Sequence, residues 1–161
     1  MFGGYPPVYH HRNIPVFSSF DFDTDVENRN LYVGFMADSL IYVRDIASGR
    51  LLYSFGCTAN GISKSYPSTS SFDEYASENK PYREQYGYYT QLVLINDYLF
   101  RGYKKERSAG YGLQVYRNSI LIGEIDLEKP IDIIGEYDGS FYGILPVDID
   151  NECFKILKFV L

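Results

Sequence analysis

Short apolar, aromatic-rich stretches closed by tight polar turns recur along most of this chain, and that recurrence limits its fold more than any other feature. Residues 16–23 end in an alternation of Phe with Ser or Asp, which is the period of a half-buried strand. Residues 31–35, 40–46 and 50–56 read as three more strands. Polar turns separate them, and Gly49 is available for the left-handed conformation a hairpin needs. The pattern resumes over 89–95, 98–103, 111–116 and 119–125, with Asn96-Asp97 and Arg117-Asn118 as turns. A third set covers 131–136, 141–145 and 153–160 and lacks a fourth strand.

Composition agrees. The chain holds 17 Tyr and 11 Phe and no Trp, and aromatic residues favour pleated, half-buried surfaces. No window sustains the three-four apolar spacing of an amphipathic helix. The expectation is therefore an all-β protein of antiparallel four-stranded meanders.

The second strands of the three sets (31–35, 98–102, 141–145) occupy equivalent places, and from Leu99 to Tyr142 the step is about forty residues, the size of a four-stranded propeller blade. The predicted organisation is an irregular arm at 1–15, a blade at 16–57, an insertion at 58–88, a blade at 89–128 and an incomplete blade at 129–161. The insertion carries Ser63, Ser65, Ser68, Ser70, Ser71 and Ser77; segments this long inside a compact domain are usually functional or mobile. A blade is apolar on both faces and cannot bury both alone. A partial, about three-bladed β-propeller therefore calls for missing blades or a second copy of the chain. The incomplete blade has a candidate fourth strand in residues 14–17.

Residues 31–35 and 41–55, with the aromatic-Arg strand Tyr98-Leu99-Phe100-Arg101, resemble the C-terminal portion of six-bladed, TolB-like propeller proteins of unknown function from Bacteroides-type bacteria. The resemblance spans residues 16–160. It implies an exported protein, often a lipoprotein, in the periplasm or at the cell surface, and it carries over no catalytic residue.

The formal net charge of −6 argues against non-specific nucleic-acid binding, which phosphate contacts dominate. The one dense basic cluster, Arg101, Lys104, Lys105 and Arg107, reads as a solvated hairpin tip. No apolar run approaches the length of a membrane span, and residues 1–7 lack the form of a signal peptide. Cys57 and Cys153 fit one disulfide or two free thiols; free, partly buried thiols are the preferred reading.

No cofactor or metal site is indicated. Asp21, Asp23 and Asp25 imitate a calcium loop, yet Val26 and Tyr32 stand where that loop needs Gly and Glu. Residues 148–152 read as a polar turn. His10 and His11, the only histidines, have no third partner. No nucleophile elbow occurs.

The tyrosines remain. Tyr82, Tyr86, Tyr88 and Tyr89, with Arg101, form the candidate binding region for a carbohydrate or a protein, since Tyr joins a stacking ring to a hydrogen-bonding hydroxyl. Core filling is the competing role for these rings. The leading functional expectation is a non-enzymatic binding scaffold. The alternative is a propeller-type hydrolase or lyase, and the directions of Asp21, Asp23, Arg101 and Glu136 discriminate between them.

Overall fold

The computed structural model describes residues 5–10, 19–63, 66 and 85–161. One helical turn, α1 (Pro7–His10), precedes eleven strands: β1 (Phe20–Asp25), β2 (Asn30–Phe35), β3 (Ile41–Asp45), β4 (Leu51–Phe55), β5 (Tyr88–Ile95), β6 (Tyr98–Lys104), β7 (Tyr111–Arg117), β8 (Ile120–Leu127), β9 (Asp132–Tyr137), β10 (Ser140–Ile144) and β11 (Ile156–Phe159). They form three antiparallel sheets in simple up-and-down order, β1-β2-β3-β4, β5-β6-β7-β8 and β9-β10-β11. The architecture is all-β, in open sheets of three or four strands arranged like the blades of a partial propeller.

Turn chemistry sets the hairpins. Asn118 and Ser119 both take positive φ (51° and 65°), as do Asp138 and Gly139 (50° and 69°). This is the two-residue hairpin turn whose twist matches the flanking strands. Gly49 adopts φ 68° at the end of the β3–β4 turn, where Asp45 accepts hydrogen bonds from the Ser48 amide and hydroxyl.

Strand alternation then builds two seams. On β6, Leu99, Arg101 and Tyr103 face the first sheet and its β4–β5 connection, while Phe100 faces the third. On β7, Gln114 and Tyr116 face the first sheet, and Leu113 and Val115 the third. The first seam packs Ile41, Leu92, Leu99 and Tyr116 together. The second packs Phe100, Leu113, Val115, Ile131, Ile133 and Phe141. The central strands β6 and β7 of the middle sheet are thus buried on both faces, and each large apolar side chain withdrawn from water there contributes about 1.5–3 kcal/mol.

Polar side chains on the innermost strands tie each sheet to the next. Asp23 on β1 accepts a hydrogen bond from the Leu94 amide of β5 at 2.7 Å. On β5, Gln91 donates to the Ile131 carbonyl and accepts from the Ile133 amide of the third sheet. Farther along that seam, Asn96 donates to the Glu136 carboxylate.

Among the described residues the outer face of the third sheet has no such cover, and that of the first is covered only at its Phe35 end, where Tyr5 and Tyr9 pack on that ring. Phe20 and Phe22 on β1 are 52 % and 61 % exposed, and Ile134 on β9 and Ile156 on β11 are 53 % and 54 % exposed.

Several expectations need correction. Residues 7–10 of the arm form a helical turn. The last strand begins at Ile156, because Cys153 closes a local bridge with Asp148 instead of joining the sheet. The proposed fourth strand at 14–17 lies outside the described residues, as does most of the 58–88 insertion.

Candidate functional site

The candidate binding residues lie at the end of the first seam where the β2–β3 turn meets the start of β5. Tyr82 lies outside the described residues. Tyr86 and Tyr88 are half-buried beside Met36, Ala37 and Tyr66, and Lys104 stands 5.8 Å above the Tyr88 ring. Tyr89 is buried. Its hydroxyl donates to the Cys57 carbonyl and accepts from the Ala59 amide, so it pins the segment after β4 onto the middle sheet.

Arg101 corrects the reading of a solvated basic tip. It is 1 % exposed, because position 101 on β6 points into the first seam. Its guanidinium donates to three carbonyls of the β2–β3 turn: Ser39 and Asp38, each at 2.6 Å, and Phe35 at 3.2 Å. Its other side lies 3.5 Å from the Tyr89 ring centroid. Burial lowers the Arg101 pKa from its ordinary value, and the neighbouring tyrosines and Asp38 oppose that shift. The rest of the cluster divides. Lys105 pairs with Asp126 at 2.7 Å, and Arg107 is exposed.

Around this cation sits a shell of restrained hydroxyls. Tyr42 donates to Asp38 at 2.7 Å, while Tyr9 accepts from the Ala37 amide. Burial raises the pKa of Tyr9, Tyr42, Tyr66 and Tyr89 alike. A second set follows the same rule: Tyr103 donates to Glu124 at 2.7 Å and Tyr116 to Gln114 at 2.9 Å, and burial raises both pKa values. These hydroxyls are spent on internal bonds, some within one sheet and some to the connections between sheets.

The acidic residues do not converge. Asp21 is half-buried; burial raises its pKa while the Arg101 charge opposes the rise. Asp23 is committed to the first seam. Glu136 holds its own hairpin through the Gly139 amide and reaches Asn96 across the second seam. Among the described residues, no cluster of three or more His, Cys, Asp or Glu side chains is placed to hold a metal ion. Both cysteines are free and exposed, not partly buried as expected.

Sequence reasoning missed a crevice at the opposite end of the first seam. Its volume is about 170 Å³, and three hairpin turns contribute to its rim: β1–β2, β5–β6 and β7–β8. The signal available was the Asn-rich character of those turns.

Fold and site together define an all-β protein of packed, blade-like antiparallel sheets. A solved structure of a member of the DUF4221 family from Bacteroides vulgatus shares this fold: the TM-score is 0.61 at 11 % sequence identity, over 89 % of this chain and 46 % of that one. The chain thus spans about half the length of that protein. No family model matches the sequence, and no curated protein does. Among the described residues, no helix is long and apolar enough to cross a membrane.

Proposed function

We propose that this chain is an interaction scaffold made of propeller blades, of the six-bladed, TolB-like kind, whose ring is completed by further blades from a second copy or from a longer polypeptide. The supporting observation is the pair of open outer faces. Phe20 and Phe22 on one side, and Ile134 and Ile156 on the other, are exposed on sheets whose opposite faces pack against the middle sheet. Apolar faces of this extent on both flanks mark contact surfaces. The domain division proposed from the sequence and an exported, lipid-anchored location belong to the same reading.

In this reading the insertion at 58–88 carries the contact region for a carbohydrate or protein ligand. Tyr82, Tyr86 and Tyr88 are its candidate rings, with Tyr89 and Arg101 as the candidate residues on the middle sheet. The commitment of Asp23 and Glu136 to the seams supports binding over acid–base chemistry.

Light scattering on the purified chain tests the scaffold. The expected mass is a multiple of the 18.5 kDa monomer, and Phe22→Glu lowers it. A monodisperse 18.5 kDa species that binds no hydrophobic dye overturns the reading.

A further inference from the structure

We propose that the crevice between the β1–β2, β5–β6 and β7–β8 turns is a binding site for one neutral sugar ring, with Phe55 and Leu94 as its floor and Asn30, Tyr53, Asn118 and Ser119 as its rim. The proposal rests on the binding reading above but places a ligand at the end of the seam opposite the tyrosine run.

The lining selects the ligand class. Phe55 and Leu94 pack at the edge of the apolar core of the first seam and leave only a narrow apolar floor beneath a lining that is mostly polar. Tyr53, 43 % exposed, lies tilted at 33° to Phe55 with ring centroids 6.2 Å apart, which extends that surface upward. The rim is polar. Amide side chains supply a donor and an acceptor on one group, and hydroxyls supply both on one atom, which suits neighbouring sugar hydroxyls. Asn118 and Ser119 make no side-chain hydrogen bond to another described residue, and their positive φ turns both onto the rim.

Other ligand classes fit poorly. The lining contains no Lys, Arg or His to receive a phosphate or carboxylate. Its two carboxylates are occupied: Asp25 accepts from the Asn28 amide nitrogens at 3.0 and 2.7 Å, and Asp97 lies 3.8 Å from Arg117. A cation would have to break those contacts. About 170 Å³ is also well under the ~300 Å³ at which pockets for drug-sized molecules begin. What remains is small, uncharged and hydroxylated, the character of a single sugar ring.

The test is a titration of the ¹⁵N-labelled chain with methyl glycosides of glucose, galactose, mannose, xylose, fucose and N-acetylglucosamine, read by NMR. At least one glycoside should move the side-chain amide signals of Asn30 and Asn118, with saturation in the millimolar range. Asn118→Gly keeps the left-handed turn while removing the amide, and Tyr53→Leu removes the ring from an exposed position. Each should weaken binding by about tenfold. The proposal is overturned if no glycoside shifts these signals, or if both variants bind as the parent does. Neither outcome touches the scaffold reading, which the solution mass decides separately.

Discussion

Replacing Arg101 by Met should cost this protein a large share of its stability, and the size of the loss can be worked out from the site. Hydrogen bonds from a charged donor contribute about 1.5–3 kcal/mol each, and Arg101 makes two at 2.6 Å, to Asp38 and Ser39. Stacking on Tyr89 adds about 0.5–2 kcal/mol. Against this stands the desolvation of a buried guanidinium, an effective cost of several kcal/mol. Met keeps the apolar stem and volume but leaves the turn carbonyls without their donor. The net loss is about 2–4 kcal/mol, inside the range of a severe single substitution. For a domain of this length, 1 kcal/mol corresponds to about 2–4 °C, so Tm should fall by about 4–16 °C. Near-UV circular dichroism of the tyrosines is the assay, since the chain has no Trp. Arg101→Lys keeps the charge, but a single ammonium cannot reproduce the planar fork or the stacking. It should recover only part of the loss. If Arg101→Met melts within about 1 °C of the parent, less than ~0.5 kcal/mol is at stake, and the picture of Arg101 as the tie between the first two sheets is wrong.

Asp23→Ala removes the acceptor for the Leu94 amide across the same seam, and a calorimetric Tm lower by about 2–8 °C is expected from ~1–2 kcal/mol; an unchanged Tm would show the bond to be incidental. Gly112→Ala puts a methyl group inside the ring of Tyr103, which is 1 % exposed. The overpacking should cost about 1–3 kcal/mol in urea denaturation and release the Tyr103–Glu124 bond. The buried tyrosines give a pH dependence. Their folded pKa values lie above the unfolded one, so their contribution is complete below about pH 10 and is lost as pH rises beyond it. Absorbance at the tyrosinate band should therefore show a reversible phase for exposed rings, then a cooperative one coinciding with unfolding. A single reversible titration of all 17 tyrosines would refute the burial.

The strands and hairpins were legible because their causes are local. Alternation over 98–103 and 111–116 and the Asn118 and Gly139 turns involve residues only a few positions apart, and every sheet pairs neighbours along the chain. Strand ends moved by a residue or two at most sites, although the first strand, expected from 16, begins at Phe20. The miss at 153–155 arose because an alternating apolar pattern does not reveal that Asp148 captures Cys153 first. The candidate site was less legible. The buried environment of Tyr89 and Arg101 is not visible in the sequence.

What the sequence determined by itself is a set of antiparallel meanders with two apolar faces each, since side-chain period and turn conformation depend on adjacent residues alone. Which face of each sheet meets which neighbour was decided only in three dimensions. Arg101 finds its acceptors 62 to 66 positions away, and Asp23 finds Leu94 at a separation of 71. A guanidinium reads as a surface charge until distant backbone carbonyls are brought around it, and those carbonyls belong to every residue type equally.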